Sequence, residues 1–213
     1  MTLPIALTVA CVACVFALIG ADRRDWPAGR AVFKLGASTA FVALALALGA
    51  LQSRYGQWVL GALLLGWLGD ALLLSRRSGA FMAGIGVFLL SHLMFAAAFA
   101  SGALAWHAMG VALVLAVAIG AALLGWLWPH TPTAFRWPVL AYVVVILAMC
   151  VTATGHAFAH ARGIVLLGAL LFAVSDIAVA RDRFVRPSPL NHLWGWPTYF
   201  AAQLVLAWSV VGM

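Results

Sequence analysis

Apolar residues run along this chain in long unbroken blocks rich in Leu, Ala and Val, separated by short polar stretches. A block of about 20 such residues is what an α-helix needs to cross a bilayer, whereas a membrane β-strand would show about ten alternating residues. The blocks fall at roughly 3–20, 34–51, 57–75, 80–100, 104–128, 138–157, 163–180 and 193–211. They predict an all-α polytopic membrane protein with eight transmembrane helices, residues 1–213 forming a single transmembrane domain. The first block has the length of a signal peptide, but no Lys or Arg precedes it and Arg23 and Arg24 follow it, so it reads as a retained helix.

Composition narrows this further. With 66% hydrophobic and 8% charged residues, the chain is more apolar than a soluble core requires. The net charge of +7 does not mark a nucleic-acid partner, because the basic residues are scattered through the short connections. Their distribution instead sets an orientation. The first, third, fifth and seventh connections carry Arg23, Arg24, Arg30, Lys34, Arg76, Arg77, Arg136, Arg181, Arg183 and Arg186, while the other side has only Arg54 and Arg162. By the positive-inside bias the basic side is cytoplasmic, which puts both termini on the outer side of a plasma (inner) membrane. Cys11, Cys14 and Cys150 lie within apolar blocks, where a thiol behaves as a small hydrophobe.

Against this background two aspartates stand out. All five acidic residues are Asp, and Asp70 and Asp176 lie inside apolar blocks, where a carboxylate costs several kcal/mol unless it is paired or at work. Asp70 precedes Arg76, and Asp176 precedes Arg181, by about a turn and a half of helix, so both sit about 7–9 Å inside the cytoplasmic boundary. They are half a chain apart and their flanks echo each other, Gly69-Asp70 against Ser175-Asp176. A four-plus-four internal duplication with the site between parallel halves would produce that pattern.

Other intramembrane polar residues fall in the same leaflet. His92, preceded by Ser91, lies about 16 Å into the fourth helix, and Tyr142 lies near the cytoplasmic start of the sixth. Tyr199 and Gln203 share a face of the eighth, and Lys34 marks the start of the second. Each has a plainer explanation: a snorkelling lysine, an interhelical hydrogen bond, interfacial aromatics, or for the aspartates an ion pair with Arg76 or Arg181 at the membrane edge. A metal is not expected. His156 and His160 have the i, i+4 spacing of metal-binding helices, but with His107 they fall on the opposite side from the aspartates.

Taken in order, Gly69-Asp70-Ala71-Leu72-Leu73, Ser91-His92, Ser175-Asp176 and Tyr199 followed by Gln203 resemble the lysoplasmalogenase family of YhhN-like membrane proteins, over nearly the whole chain. In two places the pattern departs. The second-helix lysine is followed by Leu35 where the family usually has proline, and Phe95 stands where a tyrosine is expected. The resemblance implies hydrolysis of the vinyl-ether bond of a lysophospholipid substrate, a lysoplasmalogen, to a fatty aldehyde and glycerophosphoethanolamine or glycerophosphocholine, with no cofactor. Enol-ether cleavage protonates the β-carbon, adds water to the resulting oxocarbenium ion and lets the hemiacetal collapse. That sequence needs one carboxyl and one carboxylate, as in glycosidases that pass through a similar cation.

Burial and a second nearby charge both favour a protonated carboxyl, so Asp70 and Asp176 can serve as acid and base in some order. Ser91, His92, Tyr142, Ser175, Tyr199 and Gln203 would bind or orient substrate and water, while Lys34 and Arg181 would hold the phosphate. A proton-coupled transporter using the same two aspartates is the alternative, and a structural scaffold is a third reading. The oligomeric state and the head group are not legible in the sequence.

Overall fold

The computed structural model describes residues 2–75 and 77–212. Eight long helices form among them: α1 (Thr2–Arg23), α2 (Pro27–Ala47), α3 (Arg54–Leu73), α4 (Ser78–Phe99), α5 (Trp106–Leu127), α6 (Thr133–His160), α7 (Gly163–Ala180) and α8 (Pro189–Trp208). Seven are long and apolar enough to cross a membrane, so this is an integral membrane protein. The remaining one, α8, has the length but carries Asn191, His192, Thr198, Tyr199 and Gln203 among its 20 residues.

Helix starts explain where the apolar blocks and the helices differ. Pro27 occupies the first turn of α2, where its missing N–H is no loss, so the helix begins seven residues before Lys34. Lys34 thus stands almost two turns inside the helix, 8% exposed, rather than at its start. In α8, Ser188 caps the first turn by accepting from the Leu190 amide at 3.3 Å, with Pro189 beside it. Between α7 and α8 the chain makes a π-helical turn over Arg181–Val185, a feature often found where a helix is re-aimed near a site.

Sequential helices pack as neighbours, α1 on α2, α3 on α4, α5 on α6 and α7 on α8. The two halves meet where α8 crosses α2 and where α4 crosses α6. A shift of four helices exchanges these two crossings, as the expected duplication requires, but α1 also packs on α8 with no comparable packing of α5 on α4. The centre is filled by Phe41, Phe95, Phe99, Phe172 and Phe200, all fully buried. Phe95 stacks on Phe99 at 6.1 Å, so the ring at the position where the resemblance leads one to expect a tyrosine is part of this aromatic core.

Helix α5 touches the bundle differently. It packs along α6, as α7 does on the other flank, and α5 and α7 do not pack appreciably on each other. A cavity of about 1370 Å³ lies between them, floored by Val139, Tyr142, Val143, Ile146 and Cys150 of α6. Val111, Leu115 and Ile119 of α5 and Leu170 and Val174 of α7 form its walls and are themselves exposed, so the cavity is open sideways.

Candidate functional site

Both intramembrane aspartates line this cavity, and each is held by a different set of groups. Asp70, on α3, is 1% exposed. Its Oδ1 lies 3.2 Å from the Lys34 ammonium of α2. Its Oδ2 accepts from Ser38 Oγ at 2.6 Å and from the Tyr199 hydroxyl of α8 at 2.8 Å. Ser38 also lies 3.0 Å from the Lys34 carbonyl, but it has one proton to give, and 2.6 Å is in the range of a charge-assisted O–H···O⁻ bond. Gln203 Nε2 donates to the Tyr199 oxygen at 3.0 Å, which leaves the Tyr199 proton directed at Asp70.

Two glycines allow this convergence. A Cβ on Gly66 would stand 2.6 Å from Gln203 Nε2, and one on Gly69 would stand 2.6 Å from the Phe88 ring. Their bare backbone lets α8 and α4 approach α3 closely enough for Tyr199 to reach Asp70.

Asp176, on α7, has a looser setting, with 17% of its side chain exposed to the cavity. Its Oδ2 accepts from the Tyr142 hydroxyl of α6 at 2.8 Å. The same oxygen lies 3.3 Å from His92 Nε2 of α4, close enough to pair but short of a formed hydrogen bond. The His92 ring is fully buried, 4.4 Å from the Phe172 ring and 5.2 Å from the Tyr142 ring by centroid. Its Nδ1 is fixed to the Phe88 carbonyl at 2.6 Å.

The expected site residues therefore form two sets, one around each aspartate, with the two serines outside both. Lys34, Tyr199 and Gln203 gather around Asp70, and His92 and Tyr142 around Asp176. Ser175 lines the cavity, its hydroxyl turned back to the Phe172 carbonyl at 2.7 Å. Ser91 faces elsewhere, tying α4 to α3 by donating to the Ala62 carbonyl at 2.8 Å. Ser38 was missed, although it stands four residues after Lys34 and so shares its helix face.

At its basic end the cavity is lined by Arg30 of α2, Asn191 and His192 of α8, and Asp182 and Arg183 of the π-helical turn. Asp22 pairs with Arg30 at 3.1 Å and with His192 Nδ1 at 3.0 Å, and His192 Nε2 lies 3.6 Å from Asp182. Arg181, a sequence candidate for phosphate, donates to Asn191 Oδ1. Among the described residues, the arginines lining the cavity are Arg30 and Arg183, the latter stacked over the Phe81 ring at 4.3 Å. The ion pair considered between Asp70 and Arg76 lies outside the described residues.

At the other end of the bundle, the His156 ring stacks on Tyr55 at 5.4 Å and on His160 at 4.3 Å. The i, i+4 histidine pair is thus packed face to face, and His156 Nδ1 is engaged by the Phe99 carbonyl at 2.9 Å.

Comparison with known proteins adds relatives to this geometry. A family model described as the YhhN family matches residues 29–210. The chain is 32% identical to bovine lysoplasmalogenase TMEM86A over 150 residues, which is 68% of this chain and 61% of that one. It is 34% identical to a Mycobacterium tuberculosis lysoplasmalogenase over 176 residues, 80% of this chain and 66% of that one. With human lysoplasmalogenase TMEM86B it shares 34% over 157 residues, 74% of this chain and 65% of that one. The match thus spans just under two thirds of the length of these relatives. No solved structure matches the chain.

Proposed function

The chain belongs to the YhhN family, and from that premise we propose that it is a membrane-embedded hydrolase that cleaves the vinyl-ether bond of a lysoplasmalogen, with Asp176 as proton donor and Asp70 as proton acceptor. The observation that carries the reading is the unequal setting of two carboxylates on one cavity. Asp70 faces an ammonium and two hydroxyl donors, an arrangement that suits a carboxylate. Asp176 has fewer donors, an exposed edge and a histidine beside it, which suits a group that gives and regains a proton.

The reaction balances on these two groups. Asp176 gives its proton to the β-carbon of the enol ether, the C=C electron pair forms the new C–H bond, and an oxocarbenium ion results. The two carboxylates then stabilise that cation at close range. Water adds to the cationic carbon and its proton passes to Asp70 by way of Tyr199. In the last step the hemiacetal hydroxyl returns a proton to Asp176, the C–O bond to glycerol breaks, and Asp70 protonates the leaving oxygen. Both groups end as they began.

Substrate placement follows from the cavity's two ends. The lysophospholipid phosphate would sit at the basic mouth near Arg30 and Arg183, while the alkenyl chain would lie between α5 and α7. The floor on α6 from Tyr142 to Phe158 is about 24 Å long, more than the ~15 Å of one hydrocarbon leaflet, so a whole chain fits.

The test is release of fatty aldehyde from a defined lysoplasmalogen by the purified protein, with Asp70→Asn and Asp176→Asn beside it. Aldehyde from the wild type and none from either folded variant is expected. Wild-type turnover in both variants would refute the acid/base assignment. Uptake of intact substrate into proteoliposomes without cleavage would instead establish a transporter.

A further inference from the structure

The His92 ring has an unusual constraint at both nitrogens. At 2.6 Å from the Phe88 carbonyl oxygen, Nδ1 must be the donor, because a carbonyl has no proton to offer. In the neutral ring this leaves Nε2 as a bare lone pair. That lone pair faces Asp176 Oδ2 at 3.3 Å, in a fully buried position with no hydrogen bond to another described residue. A fully buried bare nitrogen facing an ionised oxygen is unfavourable.

One proton removes the conflict, whichever atom carries it. On Nε2 it makes an imidazolium beside a carboxylate, and on Oδ2 it makes a carboxylic acid beside an imidazole. Without it, neither state is satisfied. Tyr142 cannot substitute, since its hydroxyl already donates to Oδ2 at 2.8 Å. The rings of Phe172 and Tyr142 stand around the imidazole at 4.4 and 5.2 Å, so the pair is fenced from water on that side.

We infer that His92 and Asp176 hold one proton between them, and that His92, through the tautomer its bond to the Phe88 carbonyl imposes, is the positioning residue that keeps Asp176 loaded as a proton donor. The inference rests on the hydrolase reading only for its use in turnover. In that use the shared proton leaves through Asp176 to the substrate carbon, the C=C pair forming the new C–H bond. Asp176 remains as a carboxylate opposite a neutral imidazole. That unfavourable contact is relieved when the hemiacetal hydroxyl returns its proton to the pair. The 3.3 Å gap closes as the proton is taken up, as catalytic hydrogen bonds commonly tighten during turnover.

The test reads the proton directly. In ¹⁵N-histidine-labelled protein in lipid nanodiscs, with the His92 signals identified by their loss in His92→Gln, the wild type should show a protonated Nδ1. Asp176→Asn should show a neutral ring with bare Nε2, because the asparagine amide can now donate to it. A wild-type ring protonated at Nε2 and bare at Nδ1 overturns the inference, and so does a neutral ring with bare Nε2 when the infrared spectrum lacks a protonated-carboxyl band that Asp176→Asn removes. In the aldehyde assay His92→Gln should lower kcat by about 100-fold with KM within about threefold, the scale of a lost proton-transfer partner. Unchanged kcat in a folded His92→Gln protein also overturns it. If the wild type released no aldehyde, the hydrolase reading would fail, and the nitrogen signals together with the Asp176 carboxyl band would still decide whether the proton is held.

Discussion

Asp70 and Asp176 stand at matching places in the bundle, each held between a helix of its own half and a crossing helix of the other, yet they are surrounded in opposite ways. Asp70 lies between α2 and α8 and is met by a lysine, a serine and a tyrosine. Asp176 lies between α6 and α4 and is met by a tyrosine and a histidine. One carboxylate is held beside a permanent ammonium, while the other sits beside an imidazole ring, which can stand neutral or protonated. Matching places in the bundle thus do not mean equal chemistry. What separates the two is the neighbouring basic side chain, a permanent ammonium beside Asp70 and an imidazole beside Asp176.

The comparison breaks most visibly at Asp70. Asp70→Asn leaves the Lys34 ammonium buried without its counter-ion, a loss of about 3–5 kcal/mol on top of the loss of turnover, measurable as unfolding in detergent alongside aldehyde release. Asp176→Asn should lower turnover by about 10³-fold while the unfolding temperature stays within a few degrees of wild type, because no buried ammonium is stranded. If the two amides lowered stability equally, the contrast between a carboxylate that anchors a buried ammonium and one that does not would be wrong. Adding Lys34→Met to Asp70→Asn sharpens the point. The double variant should regain about 1–4 kcal/mol over Asp70→Asn and no activity, since an apolar replacement removes the stranded charge but not the missing carboxylate.

Smaller effects test how each carboxylate is held. Gly66→Ala should cost about 1–3 kcal/mol by pushing Gln203 away from Tyr199, and should weaken activity through the Asp70 side alone. Tyr142→Phe removes one donor from Asp176 and should cost about 1 kcal/mol of stability, with the change visible as altered His92 nitrogen shifts.

Much of this was legible in the residues themselves. Continuous apolar blocks gave the eight helices, and the cost of charge in hydrocarbon singled out Asp70 and Asp176. The sorting of partners was not legible, because helical periodicity assigns a residue to a face of its own helix and says nothing about which other helix that face meets. Tyr199 and Gln203 could be paired by spacing, but only the crossing of α8 against α2 and α3 brings them to Asp70 rather than Asp176. Ser38 was hidden because a serine in an apolar helix usually bonds its own backbone, and here it lies near both the Lys34 carbonyl and Asp70. Lys34 was placed at the membrane edge because hydropathy drops there, whereas Pro27 starts the helix earlier and carries the lysine inward.

The sideways opening between α5 and α7 changes what substrate concentration means for this protein. A lipid that arrives through the wall of the bundle is drawn from a two-dimensional solution, so the controlling variable is its mole fraction among neighbouring lipids rather than its molarity in the assay tube. Diluting the substrate with inert detergent or phospholipid at constant bulk concentration should therefore slow turnover. Diluting the whole suspension with buffer should leave the rate per protein molecule unchanged. In the proposed reaction the two products would then part by solubility, the aldehyde staying in the bilayer and the glycerophosphate head leaving to water, which would make the reaction hard to reverse.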